Sequence, residues 1–215
     1  MGVLTDAIDG YNAEKKKKVP AEILATMAQA TEDLVNSGIE NRALKSGDTI
    51  PDFELPDQRG KLRRLSDYLS ESRVVLNIYR GGWCPYCNME MKALHDVLPE
   101  IEASGARLIG MAPETPDRAL TTAESHQMPI DILSDQGNRI AESLGLVFEL
   151  PEALRSIYQK IGIDVPAYNG DESFRLPLPA TYILDKDGMV LFDFVNADYT
   201  QRLEPAEILA RLAEL

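Results

Sequence analysis

The chain has 215 residues, 44% hydrophobic and 27% charged, a composition that supports a packed core and excludes a disordered or low-complexity protein. A formal charge of −13 excludes a nucleic-acid binder that works through a basic face. The start, MGVLTDAIDGYNAEKKKK, lacks the apolar stretch of a secretory signal, and no window approaches ~18 consecutive apolar residues; the expectation is a cytoplasmic protein without a membrane span.

The run Lys15–Lys18 stands against the acidic balance. Its plain reading is a solvated stretch ahead of a helix, its alternative a targeting or docking patch. From Pro20 onward, Ile23, Met27, Ala30 and Leu34 recur at helical spacing, with Leu24 and Val35 widening the stripe. Pro20 suits the first turn and Gly38 the stop. This predicts an N-terminal helical arm over residues 1–45, packed on its own domain or on a second subunit as a homodimer, ahead of one domain over 46–215.

The segment KSGDTIPDFELPDQRGKLRRLSDYL reads as turns and short strands, in which Pro51 and Pro56 forbid a central strand. RVVLNIY (Arg73–Tyr79) is apolar enough for a strand buried on both faces. Pro85 then opens a helix with Met91, Leu94, Leu98 and Ile101 inward, ended by Gly105, and Ala106–Ala112 is a second buried strand. Strand, helix and strand in close succession form a βαβ unit with parallel strands. A helix over 116–127, a short strand over 130–135 and a helical turn around 139–144 follow. Residues 146–177 are less regular: Leu154, Ile157, Tyr158 and Ile161 can line a short helix, and AYNGDESF reads as a lid or a surface insertion. ATYILDKDGMVLFDFV gives two strands across Lys186-Asp187-Gly188, and the closing helix turns Ile208, Leu209, Leu212 and Leu215 inward. The fold class is α/β, a central mixed sheet flanked by helices.

Both cysteines, Cys84 and Cys87, lie in YRGGWCPYCNMEM (Tyr79–Met91). In a reducing compartment a permanent staple is disfavoured, and a close pair points to redox or metal chemistry. Structural zinc needs two further ligands, and only His95 and His126 exist; His95 sits roughly 12 Å along the helix from Cys87, too far to share an ion. No metal or cofactor is therefore expected. Gly81, Gly82 and Pro85 describe a tight turn rather than inert packing. Cys84 falls where a buried strand meets a helix N-terminus, whose free N–H groups lower a thiol below its ordinary ~8.5. Cys87 is within one turn, so the two can form and open a disulfide, and they are expected to be open to water.

WCPYC resembles the active-site motif of the thioredoxin and glutaredoxin superfamily, and its inner Pro85-Tyr86 is similar to that of glutaredoxins. GDTIPDFELPDQRGKLRRLSDYL, followed by a strand and the cysteine turn, resembles peroxiredoxins of the alkyl hydroperoxide reductase and thiol-specific antioxidant family. The resemblance covers residues 46–215. It implies a thioredoxin-like fold and hydroperoxide reduction through a Cys84/Cys87 dithiol–disulfide cycle, with thioredoxin or glutathione as reductant. Laid on the family pattern, Cys87 takes the peroxidatic place, Cys84 that of a Thr, Arg80 that of a Pro, and Pro179 that of a distant Arg. Thioredoxins carry a cis-proline beside the disulfide at that last place. The missing Thr hydroxyl and Arg guanidinium are donors whose loss costs about 10²–10³ in rate each. Arg80 and Arg175 are candidate electrostatic replacements, with surface positions as their plain reading. Trp83 and Pro179 are candidate substrate-positioning residues, Trp83 as a flat docking surface and Pro179 as the guard of a free backbone edge; core packing and an ordinary strand-edge proline are their alternatives. The acid–base residue that thioredoxins bury beneath their cysteines has no counterpart, because Ile78 fills its place.

The direction of attack stays open. As a peroxidase Cys87 attacks and Cys84 resolves; as a thioredoxin-type disulfide reductase Cys84 attacks and Cys87 resolves. A third reading is a redox sensor whose disulfide changes how the arm meets a partner.

Overall fold

The computed structural model describes residues 2–215. The arm forms α1 (Val3–Lys18) and α2 (Ala21–Asn36), parted at Pro20. A small hairpin, β1 (Glu54–Pro56) with β2 (Leu62–Arg64), leads through α3 (Leu65–Glu71) into β3 (Arg73–Ile78). Then come α4 (Pro85–Asp96), α5 (Leu98–Ala103), β4 (Ala106–Ala112), α6 (Pro116–Ser125) and β5 (Ile132–Ser134). The irregular stretch contains α7 (Arg139–Ser143), β6 (Val147–Glu149), α8 (Glu152–Lys160), α9 (Val165–Asn169) and β7 (Arg175–Pro177), with β6 and β7 paired antiparallel. The chain closes with β8 (Ala180–Leu184), β9 (Val190–Val195) and α10 (Pro205–Glu214).

The central sheet is ordered β5-β4-β3-β8-β9, parallel across β3, β4 and β5 and antiparallel across β8 and β9. It is the mixed sheet the sequence predicts. The nearly continuous apolar run of β3 and the residue after it serve both faces: Val74, Leu76 and Ile78 join one core, and Val75 and Tyr79 the other. This period-2 division explains why the run does not alternate with polar residues. The second core also takes α4, α10 and, from the arm, Leu4 and Ile8.

Three elements differ from expectation. The helix predicted from Pro85 to Gly105 breaks at Val97, and α5 restarts with Pro99 in its first turn, because proline cannot donate the next helical bond. Residues 65–71 are helical rather than turn. The lysine run is the last turn of α1, where cations offset the partial negative charge of the helix end. Leu215, read as inward, and Val35, read as part of the arm's stripe, are exposed. No helix among the described residues is long and apolar enough to cross a membrane.

The arm folds back over its own domain. Glu204, just ahead of α10, accepts the N–H groups of Leu4 and Thr5 at 3.3 and 2.6 Å and the Thr5 hydroxyl at 2.5 Å, capping α1 from outside. At the other end the Tyr86 hydroxyl donates to Asn12 Oδ1 at 2.6 Å. Replacing Glu204 with Ala is expected to cost on the order of 1 kcal/mol, the usual worth of a helix N-terminal cap, in urea unfolding. The same variant should quicken reaction of Cys84 with a thiol reagent, because α1 roofs that residue; an unchanged rate would show that α1 does not control access.

Candidate active site

The site is built where β3 runs out into the turn Arg80–Trp83 and α4 begins. Two glycines shape the turn. Gly81 has φ +141°, a conformation that disfavours any side chain, and a Cβ there would lie 2.5 Å from Trp83 Nε1. A Cβ on Gly82 would lie 2.1 Å from Thr122 Oγ1. Cys84 is the N-cap residue of α4, with Pro85 in the first turn and the Asn88 N–H bonded to the Cys84 carbonyl at 3.0 Å. Cys87 lies one turn along, close enough for its thiol to favour a thiolate at Cys84.

Two buried arginines face the sulfurs. Arg202, in the irregular loop after β9, places Nη2 at 3.4 Å from Cys87 Sγ and pairs through Nη1 with Glu90, itself buried on α4. Arg80 is 2% exposed and has no carboxylate partner among the described residues. Its guanidinium lies 4.4, 5.0 and 6.0 Å from the rings of Tyr199, Trp83 and Tyr158, and Nη2 donates to the Tyr158 hydroxyl at 3.0 Å. A guanidinium buried without an anion is costly, and the nearby anion it can have is a Cys84 thiolate.

The two thiols are driven apart electrostatically. Burial alone would push Cys84 up; the hydrogen bond from Cys87 and the charges of Arg80 and Arg202 outweigh it and bring Cys84 well below an ordinary thiol. Burial and the neighbouring Cys84 thiolate push Cys87 up. The environment therefore favours a thiolate at Cys84 over one at Cys87.

The expectation that the pair is open to water is overturned: Cys84 is 1% exposed and Cys87 fully buried. The arm covers Cys84. A cavity of about 110 Å³ lies over Cys84, roofed by Tyr11 and Lys15 of α1 and by Ile23 and Met27 of α2, and walled by Trp83, Tyr158 and Tyr199. Cys87 does not line it.

The other candidates separate. Arg80, whose plain reading was a surface position, is at the centre of the site. Arg175 is not brought to the sulfurs; its guanidinium pairs with Glu142 on α7 and its carbonyl accepts from Asn138 at 2.9 Å. Trp83 is half-buried, edge-on to Tyr158 at 5.6 Å with Nε1 enclosed, so it packs inside the site rather than offering a flat docking face. Pro179 is buried and its peptide bond is trans, as are all among the described residues, against the cis-proline of the thioredoxin pattern. The strand it precedes is paired on both sides, Ala180 with Ile78 and with Val195, which leaves no free edge there.

A buried carboxyl does lie beneath the cysteine turn, though not at Ile78. Glu114, fully buried after β4, accepts the Gly82 N–H at 2.9 Å and the Thr122 hydroxyl at 3.4 Å. Burial raises it to about 7, against the opposing hydrogen bond from Gly82. A carboxyl raised above its unfolded value binds more protons folded than unfolded between the two, so stability falls as pH rises through that window. Glu114→Gln keeps an acceptor for Gly82 and removes the penalty. The variant is expected to match wild type in melting temperature near pH 4 and to exceed it above pH 7; equal curves at both would contradict the buried charge.

Arg202, Glu114 and Tyr199 escape the sequence reading, and Tyr158 enters it only as part of a helix face. Glu90 carried a signal: it shares the inner face of α4 with Cys87, Met91 and Leu94, and a carboxylate in an apolar stripe needs a buried cation. Nothing local marks Arg202, which is 115 residues from Cys87.

A polarised thiol at a helix tip, a second thiol one turn on, and a thioredoxin-like mixed sheet beneath them define a thiol-dependent oxidoreductase. Residues 46–192 match the AhpC/TSA family. The chain belongs to that family. It is similar to a putative peroxiredoxin of Mycobacterium tuberculosis, 28% identical over 79% of this chain and 96% of the relative. It is also similar to the peroxiredoxin Bcp of Escherichia coli, 30% identical over 48% of this chain and 65% of that protein. Among solved structures, the peroxidoxin BcpB of Mycobacterium tuberculosis superposes with a TM-score of 0.63 at 27% identity, covering 80% of this chain and 98% of that one.

Proposed function

We propose that this peroxiredoxin-like thiol peroxidase attacks hydroperoxides with Cys84 and resolves with Cys87, the reverse of the order its family pattern implies. The observation that carries the assignment is that Cys84 alone lines the cavity and alone has the unpaired Arg80 as its cation. The Cys84 thiolate attacks one peroxide oxygen; the S–O bond forms as the O–O bond breaks, and the leaving oxygen departs as alcohol or water after taking a proton. Arg80 stabilises the charge developing on that oxygen. The Tyr158 hydroxyl accepts from Arg80 and so keeps its own proton free for the cavity, in the role of the absent threonine hydroxyl. Cys87 then attacks the Cys84 sulfenic acid, the S–S bond forms, and hydroxide leaves with the Cys87 proton as water. An external thiol reductant restores both thiols.

A disulfide-reductase reading that acts on protein disulfides needs such a substrate to reach Cys84, and the arm over the cavity weighs against it. Stopped-flow oxidation of the reduced full-length protein by hydrogen peroxide tests the peroxidase reading. The expected rate constant is far above that of a free thiolate; one no better abandons the reading.

A further inference from the structure

The lysine run of the arm divides in two. Lys17 and Lys18 pair with Glu14, at 2.7 and 3.8 Å. Lys15 and Lys16 make no ion pair among the described residues, and both line a groove of about 540 Å³ between α1, α2 and the 198–200 loop. Lys15 also sits over the Tyr86 ring at 5.6 Å. The groove adjoins the cavity over Cys84, since Lys15, Met27, Tyr86 and Tyr199 line both. It is also lined by the carboxylates of Glu32 and Asp198 and by Thr31 and Thr200, whose hydroxyls donate to the Met27 carbonyl and to Asp198 Oδ1.

A disulfide beneath this roof is out of reach of a folded reductant's surface while the arm is in place. A groove of this volume is in the size class of small-molecule sites. We infer that the groove is the binding site of the reductant, a low-molecular-mass peptide thiol carrying carboxylate and ammonium groups. Its carboxylates are held by Lys15 and Lys16, its ammonium faces Glu32 and Asp198, and its sulfur reaches past Tyr86 and Tyr199 to Cys84. This rests on the dithiol–disulfide cycle above. The bound thiolate attacks the Cys84 sulfur, forming a mixed disulfide and releasing Cys87 as the leaving thiolate. A second molecule of thiol then attacks the mixed disulfide, so two thiols become one small disulfide and the two electrons return to Cys84 and Cys87.

The test uses full-length protein whose disulfide has been set with diamide rather than peroxide, so a failed peroxidase reading appears only in the separate stopped-flow experiment. Reduction is followed with glutathione, with 2-mercaptoethanol and with a thioredoxin, each small-thiol rate being corrected for its thiolate fraction. Glutathione is expected to outpace 2-mercaptoethanol, and Lys16→Glu should lower the ratio of their rate constants by about five- to tenfold, the scale of an exposed ion pair reversed in sign. Thr31→Trp, which fills the groove, should lower the same ratio. A ratio that neither variant moves overturns the inference, as does reduction by thioredoxin with none by glutathione.

Discussion

Replacing Arg80 with Met is expected to slow oxidation of Cys84 by hydrogen peroxide by about 10²–10³, the usual cost of removing one preorganised charge or donor from a reacting centre. In the oxidised protein the same variant should be no less stable than wild type. Met keeps much of the apolar contact with Trp83, Tyr158 and Tyr199 while deleting a buried guanidinium that no carboxylate balances. Loss of rate together with retained or raised melting temperature separates this role from ordinary packing, where the two would fall together. The oxidised protein is the state to compare, because there the disulfide leaves Arg80 without an anion.

The pH dependence follows with a fixed sign. Cys84 is held below its unfolded value, so its ionisation stabilises the reduced fold fully above the unfolded thiol pKa and that contribution is lost as pH falls through the folded pKa. In wild type, alkylation of Cys84 should be nearly flat across neutral pH and decline only in acid. In Arg80→Met the midpoint should move up toward that of an ordinary thiol. A midpoint that stays put would assign the lowering to Cys87 and Arg202.

The second large effect divides the two cysteines. Cys84→Ser should abolish peroxide consumption, because the remaining Cys87 is fully buried and does not line the cavity. Cys87→Ser should still react once, at a rate within an order of magnitude of wild type, then stall as a sulfenic acid with no resolving thiol. The loss of the Cys87 hydrogen bond makes that first step slower rather than faster, since it helps to lower Cys84. Consumption by Cys84→Ser at the wild-type rate would return the attacking role to Cys87.

The sheet was legible because its strands are long apolar runs bounded by turns: Arg73–Tyr79 and Ala106–Ala112 in the sequence became Arg73–Ile78 and Ala106–Ala112 in the fold. The cysteine turn was legible because Gly81, Gly82 and Pro85 have little other use between a strand and a helix. α1 was not, since only Leu4 and Ile8 are buried along it and no apolar stripe continues through its second half. The burial of Cys84 was missed with it, because the roof over Cys84 is largely α1 and the start of α2. The cage around Arg80 joins residues 80, 83, 158 and 199 from three separate stretches of chain, and only tertiary packing brings them together. Arg80 itself could not be told from a surface arginine until its partners were in place.

The most direct measurement traps the sulfenic acid. Cys87→Ser and Cys84→Ser are each treated with one equivalent of hydrogen peroxide in the presence of dimedone, and the adduct is located by peptide mass spectrometry. The adduct is predicted on Cys84 in the first variant, with none in the second. An adduct on Cys87 in Cys84→Ser, and none on Cys84 in Cys87→Ser, would contradict the assignment of the cavity-facing thiol as the one that meets the peroxide.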